Sequence, residues 1–196
     1  YNGVSTADTH AAHTLDDVLM RYGVTPDQPY ILFVATLEPR KNIESIIDAL
    51  ALIQNLVPHK LIIVGKYGWL FGSIFKKIQK HHLQDRIIIT GFIDEKEKET
   101  LYKHASLFVF PSFHEGFGLP VIEAAARTIP IITSSTSSLP EIVKTNAITI
   151  NPHNTGDLAT AMRITLLHKP TYALMRSRSM QLKSYSWQEA AHITHR

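Results

Sequence analysis

The chain has 196 residues, 44% of them hydrophobic, so it can bury a substantial core, and its length fits one domain. It contains no cysteine, which excludes disulfides, thiolate zinc sites and cysteine nucleophiles and is typical of a reducing compartment. The net charge is +3, and no run of basic residues interleaved with aromatic residues indicates a nucleic-acid-binding surface. No apolar stretch is long enough to span a bilayer. We therefore expect a cytoplasmic protein, whose membrane contact, if any, is peripheral and at the inner face.

From residue 30 onward, short apolar segments alternate with helical patterns, which is typical of a parallel sheet covered by helices on both faces. The predicted strands are 30–36, 60–65, 86–91, 106–110, 130–134 and 147–150. The predicted helices between and after them are 43–55, 70–82, 95–104, 119–127, 139–144 and 157–168. Shorter helices are expected at 15–22, at 172–184 and from Ser186 onward. The fold class predicted is α/β, a single Rossmann-like domain with a roughly six-stranded parallel sheet.

Ligands of such sheets bind beyond the carboxyl ends of the strands, so the loops after the first four strands should converge on one crevice. The loop after the fourth strand carries Glu115, and Glu123 follows it with seven residues between them. Gly116 and Gly118 allow the backbone to approach a ligand closely, and the start of the next helix offers N–H groups to a phosphate. This pattern indicates a nucleotide-sugar site. In the alternative interpretation, Glu123 only complements the helix dipole and Glu115 is a solvated loop residue.

The loop after the first strand places two adjacent cations, Arg40 and Lys41, just before a helix. Such a pair suits a diphosphate, because both side chains neutralise the charge that a nucleoside diphosphate gains as its glycosidic bond breaks. Taken alone, the two residues are better explained as ordinary surface charge beside the start of a helix. Their expected convergence with the Glu115 loop favours the diphosphate hypothesis.

The loops after the second and third strands carry weaker signals. Gly65 begins a glycine turn with a cation and aromatic residues, which suits a phosphate or the wall of a sugar pocket. Gly91, Phe92 and Ile93 offer backbone groups and an apolar shelf for a nucleotide base. Asp94 is equally well explained as the N-cap of the following helix, with Glu97 completing a capping box.

Several other activities lack their characteristic residues. The eleven histidines show no zinc-binding pattern, so no metal site is predicted. The chain has neither the Gly-x-Ser-x-Gly elbow of many hydrolases nor a Walker-type phosphate loop. The sequence therefore does not favour hydrolysis or kinase-like phosphoryl transfer.

Taken together, the motifs at 36–42, 61–65, 89–92 and 110–120, with Glu123, resemble the C-terminal domain of family four glycosyltransferases. These are retaining enzymes of the two-domain GT-B type, and the resemblance extends over residues 2–190. It implies that Glu115 contacts hydroxyls of the donor sugar and that Glu123 accepts hydrogen bonds from the ribose. The residues that it implies for catalysis are Glu115, Lys41 and Arg40. The residues that it implies for nucleotide-sugar binding are Glu123, Gly116, Phe117, Gly118, Leu119, Gly65, Gly91, Phe92 and Ile93.

The resemblance also implies which groups neutralise the diphosphate charge of the donor. Lys41 would hold the diphosphate, helped by Arg40 and by the backbone from Gly116 to Leu119. Family members often carry a second phosphate-binding arginine where this chain has Ala35. Either Arg40 substitutes for that arginine or Lys41 acts with less help. Because family members need no catalytic metal, no metal or other cofactor is expected besides the donor itself.

The resemblance predicts three parts of the chain: residues 1–29 as interdomain linker and leading segment, 30–184 as the nucleotide-sugar-binding domain, and 185–196 as the start of a C-terminal crossover helix. The expected partners are a nucleotide sugar, a missing N-terminal acceptor domain, and a glycan or lipid-linked acceptor in polysaccharide biosynthesis. We therefore expect donor binding without efficient transfer from this chain alone. A non-catalytic Rossmann-like binding module and a nucleotide-sugar epimerase of the same architecture remain the alternatives.

Overall fold

The computed structural model describes residues 14–179 and contains one parallel sheet of six strands, as predicted. The strands are β1 Tyr30–Val34, β2 Lys60–Val64, β3 Ile87–Gly91, β4 Leu107–Phe110, β5 Ile131–Ser134 and β6 Ile148–Ile150. The α-helices are α1 Leu15–Arg21, α2 Ile43–Ile53, α3 Gly72–Lys80, α4 Glu95–His104, α5 Leu119–Ala126, α6 Leu139–Val143, α7 Thr155–Leu167 and α8 Lys169–Ser179. A short 3-10 turn, Pro39–Lys41, precedes α2.

The strand order β3-β2-β1-β4-β5-β6 sets the position of the site. From β1 the chain builds outward on one side through β2 and β3, and then crosses back to place β4 on the other side of β1. This reversal is the topological switch point of a doubly wound sheet, where ligands bind. The loops that follow β1 and β4 therefore lie next to each other at the carboxyl edge.

The core lies on both faces of the sheet. Every residue of β1, β4 and β5 is buried, because helices cover these central strands from both sides. One layer contains α2 packed against α3 and α7, and elsewhere α1 packs against α4. Val18 and Leu19 of α1 are fully buried, so the core includes part of the predicted leading segment.

The predicted elements differ from the observed ones mainly at their ends. The strand predicted at 30–36 ends at Val34, and the helix predicted from residue 172 begins already at Lys169, with Pro170 in its first turn, where proline is favoured. The last residues of that predicted helix and the helix predicted from Ser186 lie outside the described residues. The same holds for the linker residues before position 14.

Candidate functional site

The site is built where the loop between β1 and α2 crosses the loop between β4 and α5. The N–H of Phe113 donates to the carbonyl of Arg40 over 2.9 Å, and Nη1 of Arg40 donates to the carbonyl of His114 over 3.2 Å. These bonds join the two loops at the switch point. Residues that are 74 positions apart in the chain become neighbours through this crossing.

Lys41 and Glu115 form a buried ion pair in the centre of this crossing. Nζ of Lys41 lies 2.5 Å from Oε1 of Glu115, and each side chain is only 8% exposed. Nη1 of Arg40 lies 3.3 Å from the same carboxylate oxygen. The ammonium of Lys41 also lies 5.2 Å from the ring centre of Phe110. The structure thus brings together the three residues that the sequence predicts for catalysis.

Arg40 is shared between two carboxylates. Its Nε lies 2.5 Å from Oε1 of Glu38, while its Nη1 faces Glu115. Its side chain is half exposed, in contrast to the buried Lys41. The two cations are therefore balanced by two anions, and an added diphosphate would compete for Arg40 more readily than for Lys41.

Asn42 is a structural residue of the site that sequence reasoning did not single out. It adopts a left-handed conformation with φ of 55° between the 3-10 turn and α2. Its buried Nδ2 donates to the carbonyls of Pro111, over 3.0 Å, and Pro152, over 2.8 Å. Asn42 therefore ties the loops after β1, β4 and β6 together. The available signal was an asparagine directly before a helix, since asparagine tolerates this conformation well.

A run of hydroxyl residues after β5 also supports the Glu115 loop and was missed. The hydroxyl of Ser137 accepts the N–H of Glu115 over 3.1 Å and donates back to its carbonyl, to which Ser138 also donates. Thr136 donates to the carbonyl of Phe113 over 3.0 Å. The signal was a Ser/Thr-rich segment directly after a strand at the same edge of the sheet. These hydroxyls fix the backbone from which the Glu115 carboxylate extends.

The Glu115 loop ends at Gly118, which precedes the first residue of α5. Gly118 has a φ of 74°, and a side chain there would place Cβ 2.6 Å from Cδ2 of Leu139. The conformation therefore favours glycine, and a larger residue would also have to displace the side chain of Leu139. Gly116 and Phe117 lie between Glu115 and this turn, and Leu119 begins the helix. The N-terminus of α5 consequently follows Glu115 by only a few residues.

Glu123 lies one turn into α5, and its carboxylate contacts α4. The hydroxyl of Tyr102 donates to Oε2 over 2.9 Å, and Nζ of Lys98 lies 3.4 Å from Oε1. Burial and the Glu123 carboxylate raise the pKa of Tyr102 well above its ordinary range. Burial alone would lower the pKa of Lys98, but its bonds to Glu95 and Glu123 raise it overall. Glu123 is therefore held by α4, separately from the Lys41–Glu115 pair.

The ends of β2 and β3 place the remaining predicted residues. Gly65 packs against the end of β1 so closely that a Cβ would meet the Ala35 carbonyl oxygen at 1.8 Å, and its N–H donates to the carbonyl of Gly91 over 3.0 Å. This close approach is a structural reason for glycine at position 65. Ile93 is buried, whereas Phe92 is 72% exposed and carries the ammonium of Lys66 at 4.7 Å from its ring centre.

Within residues 14–179, histidine, aspartate and glutamate side chains form no group of three that could hold a metal ion. Among the helices described, none is both long and apolar enough to cross a membrane.

Comparisons with known proteins agree with this architecture. A family model described as "Glycosyl transferases group 1" matches residues 20–181. The O-antigen chain mannosyltransferase B of Escherichia coli is 30% identical over 164 residues, which are 82% of this chain and 43% of that protein. The solved sucrose-phosphate synthase of Thermosynechococcus elongatus is 26% identical, with a TM-score of 0.75, and the match covers 94% of this chain and 49% of that one.

HepE of Anabaena, solved in complex with UDP-glucose, has a TM-score of 0.78 at 21% identity, with 93% of this chain and 52% of that chain covered. At this identity the likeness concerns the fold alone. The chain thus spans about half of the length of these proteins, or less. The predicted resemblance to the C-terminal domain of family four, GT-B-type glycosyltransferases is confirmed, and the chain belongs to the group 1 glycosyl transferases.

Proposed function

We propose that this chain is the donor-binding domain of a retaining glycosyltransferase. The parent enzyme would move a hexosyl group from a nucleoside-diphosphate sugar to a glycan or lipid-linked acceptor. The observation that carries the proposal is the convergence of Lys41 and Arg40 on Glu115 at the switch point of the sheet. Family membership supports the reaction class, and the HepE complex shows that a protein of this fold binds UDP-glucose.

The diphosphate would bind between the two cations and the N-terminus of α5. Lys41 is buried and positioned by Glu115, so its ammonium needs little reorganisation to serve as a donor. Arg40 is half exposed and can exchange Glu38 for a phosphate oxygen. Helix N–H groups beyond Gly118 would add partial positive charge. As the glycosidic bond breaks, these groups stabilise the charge that accumulates on the departing nucleoside diphosphate.

Glu123 would accept hydrogen bonds from the ribose hydroxyls. Its carboxylate is fixed by Tyr102 and Lys98, and its side chain is 21% exposed, so one face is accessible to a ligand. The pocket for the nucleotide base would be lined by Gly91, Phe92 and Ile93, and the exposed ring of Phe92 would provide its apolar surface. Glu115 would contact hydroxyls of the hexose through the part of its carboxylate that Lys41 and Arg40 leave free.

The acceptor would bind to an N-terminal domain, as the resemblance implies. Donor binding would be independent of divalent metal, because cationic side chains meet the diphosphate charge. The retaining outcome and a cytoplasmic location are further parts of this proposal.

The proposal is tested by calorimetric titration of the 196-residue chain with UDP, GDP and ADP, each with and without a hexose, in the presence of EDTA. We expect selective binding of one nucleotide. Glu123→Ala should lower that affinity at least about tenfold, because the two ribose hydroxyls lose their charged hydrogen-bond acceptor. Asp85→Ala, which removes an exposed carboxylate from the amino edge of the sheet, is the matched control and should bind normally.

Unchanged affinity in Glu123→Ala would favour the non-catalytic binding module. Failure of the folded wild-type chain to bind any of the nucleotides would contradict a preformed donor site. Product analysis with the complete parent enzyme would separate transfer from epimerisation.

A further inference from the structure

A cavity lined by basic side chains lies at the amino edge of the sheet, opposite the edge that carries the candidate donor site. It opens beside the first residues of β4 and β5, between α4, α5 and α8, and has a volume of about 150 Å³. Its charge comes from Lys103 in α4, Arg127 at the end of α5 and Arg176 in α8. Ser106 and Tyr172 contribute hydroxyl groups to its wall. We call this feature the basic cavity.

Arg127 is the fixed cation of the basic cavity. Its Nε donates to Oε2 of Glu99 over 2.8 Å, its Nη2 donates to the same oxygen, and its Nη1 donates to the carbonyl of Glu123 over 3.0 Å. The side chain is only 13% exposed. Because a guanidinium carries five N–H groups and these bonds use three of them, two are left for a ligand. Arg127 is thus held in place before any ligand binds.

Positive charge exceeds negative charge in the basic cavity. No acidic residue is among the described residues that line it, and Glu99 pairs with both Arg127 and Lys103, the latter over 3.3 Å. Burial alone would raise the pKa of Glu99, but its bonds to Arg127 and Lys103 lower it overall. Within residues 14–179, no hydrogen bond or ion pair engages the exposed side chain of Arg176. Three cations are therefore met by one carboxylate.

The helix dipole is the ordinary explanation for cations at helix ends, and Lys103 and Arg127 lie at the ends of α4 and α5. The carbonyls at the end of α5 already have donors, because the N–H groups of Arg127 and Thr128 donate to the carbonyls of Ala124 and Ala125. A dipole also explains a cation only beside its own helix end. It does not explain why cations from three helices line one cavity.

We propose that the basic cavity binds a phosphate group, either inorganic phosphate or a small phosphomonoester. Arg127 would supply the fixed donors, and Lys103 and Arg176 would contact the remaining oxygens. A phosphate dianion is favoured over a carboxylate because three cations against one carboxylate leave an excess of two positive charges. The proposal does not depend on donor binding, since the donor site lies at the opposite edge of the sheet.

The test follows the backbone amide signals of the isotope-labelled 196-residue chain by two-dimensional NMR. Inorganic phosphate and glycerol 3-phosphate are titrated separately at constant ionic strength. We expect saturable shifts for the amides of Ser106, Thr128 and Ile129, which line the basic cavity, and none with sodium chloride. Shifts between Gly116 and Leu119 report phosphate at the candidate donor site, so the two sites are measured independently. Tighter binding of glycerol 3-phosphate would identify a phosphomonoester as the ligand, and tighter binding of inorganic phosphate would identify the free ion.

Lys103→Gln combined with Arg176→Gln should lower phosphate affinity at least about tenfold, because two charged donors are lost while Arg127 stays in place. Lys76→Gln combined with Arg163→Gln is the matched control, since it removes the same two charges from exposed positions on α3 and α7. This control should bind phosphate normally. Urea unfolding verifies that both double variants are folded.

Lys41→Met should also keep the phosphate-induced shifts at the basic cavity, which separates this proposal from the proposed donor site. The proposal is overturned if phosphate leaves the amides around the basic cavity unchanged in the wild type. It is equally overturned if Lys103→Gln with Arg176→Gln binds phosphate as tightly as the wild type does, or if the control variant loses as much affinity as that variant.

Discussion

The two edges of the sheet hold their charged side chains in different ways. At the carboxyl edge, Lys41 and Glu115 are opposite charges in direct contact, with Arg40 beside them. At the amino edge, Arg86 precedes β3 and donates to three backbone carbonyls, those of Gln54, Val57 and His59, over 2.7 to 3.1 Å. Nη1 and Nη2 of Arg86 thus donate to neutral acceptors beyond the end of α2, where a cation also complements the helix dipole.

This difference distinguishes a cation that only stabilises the fold, Arg86, from the cations at the carboxyl edge, which can also bind a ligand. The acceptors of Arg86 belong to a folded turn and cannot be exchanged without opening it. The cations at the carboxyl edge are held by side chains in loops, and one of them, Arg40, is half exposed. Changes at Arg86 should therefore alter stability alone, whereas changes at the carboxyl edge should alter nucleotide affinity as well.

Arg86→Met should cause the largest loss of stability. It leaves three carbonyls without their donor, so the free energy of unfolding should fall by about 3 kcal/mol. Urea unfolding measures this change. Arg163→Met, an exposed arginine on α7, is the control and should change stability by less than about 0.5 kcal/mol. If the folded fraction of Arg86→Met bound nucleotide more weakly, the proposed division between the two edges would be wrong.

His59, at the same edge, predicts a loss of stability in mild acid. Burial, together with the charge of Arg86, lowers the pKa of His59 to about 4. The unfolded chain therefore takes up a proton near the ordinary histidine pKa, which the folded chain resists. The contribution of His59 to the free energy of unfolding should be fully present above about pH 6.5 and should be lost as the pH drops toward 4. The loss should be no more than about 3 kcal/mol, and solvent screening of the partly accessible ring makes it smaller.

The check is the pH dependence of urea unfolding in the wild type and in His59→Gln, which cannot titrate at this position. The difference between the two should shrink or reverse across that pH range. His82→Asn removes an exposed imidazole and should retain the wild-type profile. Parallel profiles of the wild type and His59→Gln would show that His59 does not control the acid limb.

Lys41→Met tests the carboxyl edge. It leaves the buried Glu115 carboxylate with Arg40 alone, so stability should fall by about 2 kcal/mol. Nucleoside-diphosphate affinity should fall at least about tenfold, because a buried donor to the diphosphate is lost. Adding Glu115→Gln should recover part of the stability, since the uncompensated charge disappears, but none of the nucleotide affinity. Recovery of both quantities together would mean that Lys41 acts only through the fold.

The alternation of apolar strands and helices predicted the fold well, because a parallel sheet buried on both faces leaves a clear pattern in the sequence. The convergence of the Arg40–Lys41 loop with the Glu115 loop was also predictable. It follows from the rule that the carboxyl ends of neighbouring strands share an edge. No such rule predicts the partners of a side chain, so the direct Lys41–Glu115 pair and the contact of Glu123 with α4 required the structure.

The support for the site was harder to predict. Asn42 joins three loops that are separated by as many as 110 residues, and Ser137 holds the backbone of Glu115 from another strand. Short polar residues in loops serve as caps, turns and surface groups with similar frequency, so their type does not reveal their partner. Their role depends on which loops the topology places side by side.

The smallest predicted effect tests whether Arg40 takes the role of the second phosphate-binding arginine, which family members often carry where this chain has Ala35. Glu38→Gln removes one of the two carboxylates that hold the guanidinium. If Arg40 contacts the diphosphate, its release from Glu38 should raise nucleoside-diphosphate affinity by up to about fivefold, the equivalent of one partly exposed ion pair. Glu44→Gln changes the net charge equally near the start of α2, without touching Arg40, and serves as the matched control for calorimetry. An equal gain in affinity in both variants would reflect long-range charge alone. No gain in Glu38→Gln would mean that Arg40 does not contact the diphosphate, because loss of Glu38 frees the guanidinium of Arg40 and leaves Lys41 unchanged. Lys41 would then be the cation that holds the diphosphate.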